Sequence, residues 1–257
     1  MSDLDLSRYR PAFEDDFAGR HLDRSRWLPY YLPHWGGRQR SAARYEVRDG
    51  LLRLRIDADQ PPWHPELDGD LRVSALQTGV RSGPVGSRDG QHRFHPDAVV
   101  VEEQPAQRLY TPHYGVVEIR MQALADPSAM VALWMVGFED TPERSAEICV
   151  CEIFGSEVEE DRALVGMGVH PFGDPAITDD FEKVELAVDV REFHTYAVRW
   201  TPEQADFHVD GRRVKRVQQS PAYPMQLMLT IYEFTRDAAS RYPKEFVVDR
   251  IRGHAPA

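Results

Sequence analysis

The chain is poor in several residue types, and each shortage excludes something. Only two cysteines occur, Cys149 and Cys151. Two thiols cannot build a disulfide framework, and they fall short of a four-ligand zinc site. Asparagine is absent, so no Asn-X-Ser/Thr glycosylation acceptor exists. Lysine occurs only at positions 183, 215 and 244, and arginine supplies nearly all the positive charge, which reads as coding bias rather than function. The longest apolar run, Ala129 to Phe138, is ten residues long. A bilayer span needs about 20, so no membrane partner is expected. The chain starts Met-Ser-Asp-Leu-Asp-Leu-Ser-Arg, without the basic and apolar stretches of a secretory signal. The expectation is a cytoplasmic protein as written, or an extracellular one if a leader has been removed.

Positive charge is also outweighed. Thirty-one Lys and Arg stand against 42 Asp and Glu, a net charge of −11. A nucleic-acid partner would require a basic patch, so none is expected. What the chain does have is a globular composition, with 42% hydrophobic and 28% charged residues. All-β sandwiches reach 257 residues as single domains. No repeat, linker or low-complexity tract divides the chain, so residues 1–257 read as one domain, expected to be a monomer.

Helical periodicity is scarce, and strand signals are frequent. Leu51 to Ile56 alternates after an Asp49-Gly50 turn, and Tyr114 to Met121 alternates as well. Met130 to Phe138 is continuously apolar, as expected of a strand buried on both faces. Ala146 to Phe154, Phe193 to Trp200, Met225 to Phe234 and Glu245 to Ile251 also read as strands. Ala205 to Val214 reads as a hairpin turning at Asp210-Gly211. Many short strands with such turns predict an all-β, two-sheet sandwich or jelly roll. Gln60 to Asp97 lacks periodicity and reads as a long functional loop at one end of a groove.

The chemically informative segment is Ala146-Glu147-Ile148-Cys149-Val150-Cys151-Glu152-Ile153-Phe154. Carboxylates are almost never fully buried without partners, and two of them interrupt an apolar strand here. On a regular strand Glu147, Cys149 and Cys151 share one face and Glu152 points away. A β-bulge at Val150-Cys151 would bring Glu152 round to the face of Glu147. Two carboxylates about 5 to 5.5 Å apart can act as nucleophile and acid/base in a retaining glycosidase. Two Glu on one strand are more often solvent-facing on an edge, so the surroundings matter. The thiols, set between carboxylates, lack the His or helix N-terminus that activates a cysteine nucleophile and read as small buried hydrophobes.

Those surroundings carry a resemblance. Glu147-x-Cys149-x-x-Glu152 resembles the Glu-x-Asp-x-x-Glu signature of glycoside hydrolase family 16, which includes laminarinases, licheninases and related β-glucanases. Phe13 to Phe17 with Leu22-Asp23 and Trp27, Trp35-Gly36-Gly37, and Tyr45 with Asp49 to Leu52 are similar to the family's opening segments. Arg108-Leu109, Thr111, Tyr114-Gly115, Glu118, Arg120, Ala132 to Met135, Phe193 to Trp200, Phe207 to Gly211 and Val247 to Arg252 continue the likeness in order. The resemblance implies a concanavalin-like β-jelly-roll sandwich of two antiparallel sheets, its concave face forming a glycan groove. It implies a retaining endo-acting hydrolase of β-glucan, β-1,3 or mixed β-1,3/1,4, with Glu147 as nucleophile and Glu152 as general acid/base. Trp134, Trp35 and Tyr232 are candidates to stack on sugar rings, with Arg108 and His170 as further groove residues. No cofactor is implied for catalysis. A structural calcium ion is implied at Asp249 and at main-chain oxygens at the positions of Glu14 and Gly50.

Three positions depart from the family pattern. The signature's central Asp is Cys149, Gly37 replaces the Asn after Trp35-Gly36, and the Trp-Pro-x-x-Gly-Glu of β-1,3-glucanases is Pro142-Glu143-Arg144-Ser145-Ala146-Glu147 here. A thiol with an ordinary pKa of about 8.5 is neutral near pH 7 and cannot raise the proton affinity of its neighbours as a carboxylate does. The expectation is therefore a slowed hydrolase or a shifted pH optimum. Two other readings are a glycan-binding sandwich without activity and a transglycosylase on the same fold.

Overall fold

The computed structural model describes residues 3–236 and 239–257. In chain order its strands are β1 (Tyr9–Asp15), β2 (Arg44–Arg48), β3 (Leu51–Ile56), β4 (Arg72–Gln77), β5 (Gly79–Val80), β6 (Gln107–Arg108), β7 (Gly115–Gln122) and β8 (Ala129–Gly137). They continue with β9 (Glu147–Phe154), β10 (Ala163–His170), β11 (Asp180–Leu186), β12 (His194–Trp200), β13 (Ala205–Val209), β14 (Arg212–Val217), β15 (Met225–Glu233) and β16 (Lys244–Pro256). Two short helices, α1 (Pro33–Ser41) and α2 (Pro65–Asp68), lie between strands. No helix among the described residues is long and apolar enough to cross a membrane.

Among the described residues, fourteen strands form two antiparallel sheets, the jelly-roll sandwich expected, and β5 and β6 pair separately. One runs β14-β13-β12-β7-β16-β3-β2, with β1 also paired to β16; the other runs β11-β10-β9-β8-β15-β4. Two tight turns set registers in the first sheet. Asp49 and Gly50 take φ of 55° and 71°, and Asp210 and Gly211 take 48° and 78°. Two consecutive positive φ values make the turn whose twist matches a hairpin, which is why Asp-Gly occurs at both.

The interior between the sheets is filled by side chains such as Trp27, Leu54, Ile119, Ile148, Tyr196, Phe207 and Phe246. Each fully buried Leu, Ile or Phe contributes about 1.5–3 kcal/mol, so this layer supplies the main drive to fold. A second cluster lies on the opposite side of the six-stranded sheet. It contains Trp134, Ala132, Val136, Met228 and Tyr232, covered in part by Tyr31, Trp35 and Trp63. That side is the open face on which the site is built.

The long loop expected over Gln60 to Asp97 is not one loop. It contains α2, β4 and β5, and its longest irregular stretch follows β5. All six residues of β4 are buried, because the open-face cluster covers one side and the interior the other. A strand buried on both faces has no alternation to betray it.

Gly168 in β10 has φ of 148°, and a Cβ there would lie 2.1 Å from the carbonyl oxygen of Asp180 in β11. Gly168→Ala should therefore cost about 3 kcal/mol and lower Tm by about 6–10 °C in a thermal melt. An unchanged Tm would contradict this pairing of β10 with β11.

Candidate active site

Residues that face each other across an antiparallel pair point to the same side of the sheet. Along β9, Glu147 faces Val136, Cys149 faces Trp134 and Glu152 faces Ala132 of β8. Those three partners all belong to the open-face cluster. Glu147, Cys149 and Glu152 therefore share the open face. A β-bulge makes this possible. Cys149 faces Trp134 and Cys151 faces Leu133, so Val150 has no partner on β8. On β10, Met167 alone spans the interval that Val150 and Cys151 span on β9. Val150 and Cys151 both turn into the interior.

Glu147 is buried, and its Oε1 lies 2.7 Å from Nδ1 of His92. His92 lies beyond β5 in the irregular segment and holds a φ of 49°. Its ring sits between Trp134 and Phe172, with centroids 5.1 and 4.8 Å away, and its backbone N–H donates to Glu139 Oε1 at 2.6 Å. Burial alone would push the imidazole pKa down, but the charges of Glu147 and Glu139 outweigh it and the net shift is upward. This contact engages one oxygen of Glu147 and leaves Oε2 to the open face. Glu139, just past β8, is buried with a φ of 54°. Burial and the charge of Glu147 push its carboxyl up to about 7, against the pull of His92 and Arg81. Neither His92 nor Glu139 was singled out from sequence. The only signal was that His92 lies in the aperiodic stretch read as functional.

Glu152 is half-buried opposite Gly166, where a Cβ would come 3.3 Å from its own Cβ. Burial raises its pKa, the hydrogen bond from the Cys149 thiol lowers it, the charge of Glu147 raises it, and His170 and Lys183 lower it; the net direction is up. Cys149 is fully buried. Burial first, then Glu152 and Glu147, push its thiol well above the ordinary range, so it stays a neutral donor to Glu152. Burial pushes Cys151 up to about 12. Neither thiol has nucleophile character.

The structure distributes the other candidates unevenly. Trp134 lies on the floor beside Cys149, and its Nε1 donates to Thr230 Oγ1 at 3.2 Å. Tyr232 is buried edge-on against Tyr31, with the exposed Phe234 ring nearly parallel to it at 6.1 Å. His170 is the cross-strand partner of Glu147; its ring stacks on Phe181 and its Nδ1 lies 2.9 Å from Asp179 Oδ2. Trp35 does not face the groove. It is fully buried, and its Nε1 donates to the carbonyl of Gln91 at 2.9 Å, so it anchors the segment that carries His92. Arg108 is engaged elsewhere, 3.6 Å over the Phe138 ring and 3.0 Å from Asp140 Oδ2.

The residues proposed for calcium do not fit the ion. Asp249 Oδ2 is paired with Arg120 at 3.0 Å and Arg250 at 3.1 Å, and the main-chain carbonyl of Glu14 accepts from the Arg26 guanidinium. Calcium needs a shell of oxygens, and guanidinium groups occupy these. Gly50 only forms its turn. No group of three or more His, Cys, Asp or Glu among the described residues could hold a metal.

A sequence model described as glycosyl hydrolases family 16 matches residues 107–246. The GlcNAcα1-4Gal-releasing endo-β-galactosidase from Clostridium perfringens superposes with a TM-score of 0.85 and 30% identity, over 100% of this chain and 64% of that one. The chain thus spans less than two thirds of that enzyme's length. SCLam, a non-specific endo-β-1,3(4)-glucanase of family 16, superposes with a TM-score of 0.69 and 18% identity over 100% and 94% of the two chains. The laminarinase catalytic domain from Thermotoga petrophila RKU-1 gives 0.64 and 15% over 96% and 98%. No curated protein matches the sequence.

Glu139 has a measurable signature. The folded protein holds its proton up to about pH 7, whereas an unperturbed carboxyl releases it near 4.5. Its contribution to stability is thus fully present below 4.5 and is lost as pH rises to about 7, a cost of about 3 kcal/mol. Glu139→Gln keeps an acceptor for His92 N–H and removes the titration. It should raise stability above pH 7 by up to that amount in urea unfolding and flatten the slope between pH 4.5 and 7. An unchanged slope would contradict this environment.

Proposed function

The chain belongs to family 16 of the glycosyl hydrolases, and from that premise we propose that it is a retaining endo-β-glycosidase with Glu147 as nucleophile and Glu152 as general acid/base. The observation that carries the reading is the bulge, which sets both carboxylates on one open face. In the first step Oε2 of Glu147 attacks the anomeric carbon. The glycosidic C–O bond breaks as Glu152 gives its proton to the departing oxygen, and a glycosyl ester remains on Glu147. Glu152 is suited to hold that proton, because burial and the charge of Glu147 both raise its affinity. Once the ester forms, the Glu147 charge is gone, so the proton affinity of Glu152 falls and, having given up its proton, it stays ionised and free to act as the base. It then takes a proton from water, whose oxygen attacks the anomeric carbon and displaces Glu147. A binding-only protein would not require this paired arrangement. Passage of the sugar to a second sugar would share the first step.

For the substrate, we favour a glycan cleaved at an internal β-galactoside. The support is the galactosidase likeness, at 30% identity over all of this chain. The β-glucan expectation is the second reading, supported by the signature and the family. The missing Trp before Glu147 and the Gly37 replacement count against laminarin.

A reducing-end assay on a GlcNAcα1-4Gal-capped galactoside glycan, laminarin and lichenan tests the activity. Cleavage should occur on at least one of them, and Glu147→Ala and Glu152→Ala should each lower kcat about 1,000-fold or more. Binding without cleavage would contradict the enzyme reading. Cys149→Asp tests the departure at the signature's centre. Replacing a thiol that donates to Glu152 by a carboxylate should strengthen the proton on Glu152, raising kcat or moving the pH optimum upward. Equal or lower activity with an unmoved optimum would show that Cys149 does not slow the enzyme.

A further inference from the structure

Beside Glu147 lies a cavity of about 590 Å³. This is within the range of about 300–1,000 Å³ that small-ligand sites occupy. His92 and Glu139 line it, and His92, 2.7 Å from Glu147, is the wall it shares with the carboxylate end of the groove. Its other walls include Arg81, Arg88, Arg93 and Asp89. Arg81 is neutralised by Asp89, with two contacts of 2.7 Å. Arg88 and Arg93 have no acidic partner among the described residues. They are exposed cations at a cavity mouth, in a chain whose net charge is −11. The remaining acid, Glu139, holds its proton up to about pH 7, so it opposes them weakly below that pH. Phe172 at the rim adds an apolar face. It is 50% exposed and holds a φ of 46°, a conformation that costs energy in a bulky residue. Exposed aromatic rings at a groove suit the apolar faces of sugars, and free guanidinium groups suit carboxylate or sulfate oxygens.

We propose that this cavity is a subsite for a sugar unit bearing an anionic group, a carboxylate or a sulfate ester, with Arg88 and Arg93 binding the anion and Phe172 the ring. A glycan carrying that anion is then bound in preference to its neutral counterpart. This rests on the reading of the adjacent groove as a glycosidase site and goes beyond it by naming the substrate's charge.

The test measures binding and cleavage separately. The probes are one β-galactan oligosaccharide in three forms: neutral, sulfated, and oxidised at C6 to the uronate. Titration calorimetry on Glu147→Gln protein at low salt should show at least one charged form binding about tenfold tighter than the neutral form. The form that does so identifies the anion. Raising the salt should erode the difference, since it screens charge. Arg88→Ala with Arg93→Ala should bring the affinity ratio close to one, and Arg88→Glu with Arg93→Glu should reverse it. Equal affinity for all three forms, absence of binding included, would overturn the proposal, as would a preference that survives both double variants. Cleavage by the unmodified protein is scored apart. Charge-selective binding without cleavage leaves the subsite standing and removes the β-galactosidase reading. Cleavage without charge selectivity does the reverse.

Discussion

Val150 sits in β9 with no partner on β8, and the arrangement of the open face depends on that extra residue. A regular strand has a period of two, so positions 147 and 152 would lie on opposite sides of the sheet. One side is the interior, where an unpaired carboxylate would cost several kcal/mol. Doubling Val150 and Cys151 into the interior removes that conflict and sets Glu152 on the same side as Glu147. Opposite Glu152, Gly166 leaves room for the Phe181 ring, which a Cβ there would meet at 2.4 Å, and Gly168 lets the backbone of β11 approach closely.

Two carboxylates brought together on a nearly dry surface repel each other, and the surroundings answer that repulsion unequally. Glu147 receives the imidazole of His92, which its own charge helps to keep protonated. Glu152 receives a neutral thiol and, at a distance, the charges of His170 and Lys183, yet its proton affinity remains raised. The pair is thereby split into one carboxylate braced by an imidazole whose proton affinity it raises and one whose own proton affinity is raised. Such a division is what a double displacement at an anomeric carbon needs.

Much of this was legible before the structure. The apolar β8, the alternating β7 and the Asp-Gly hairpins announce themselves through period and turn chemistry, and the bulge emerges from asking how two Glu can share one side of a strand. Other parts were silent for physical reasons. β4 is covered on both faces and shows no alternation. β10 contains Gly166 and Gly168, which weaken its strand signal because Gly is depleted in strands, although the site requires them. His92 reaches Glu147 across 55 positions through an irregular segment, a contact that no local pattern encodes. Trp35 was read as a groove aromatic; it is a buried anchor, since residue type does not reveal which side of a loop faces solvent. Asp249 matches a calcium position by resemblance alone, and the arginines that claim it come from β7 and β16.

The central claim is that the bulge sets a nucleophile and an acid/base on one face of the sheet, so that they flank the bond to be cut. The stereochemistry of the first product tests it most directly. Proton NMR during the opening minutes of hydrolysis, before mutarotation, should show the β anomer at the new reducing end, as two successive displacements require. An initial α anomer would mean a single displacement by water, and would contradict the assignment of Glu147 as a nucleophile.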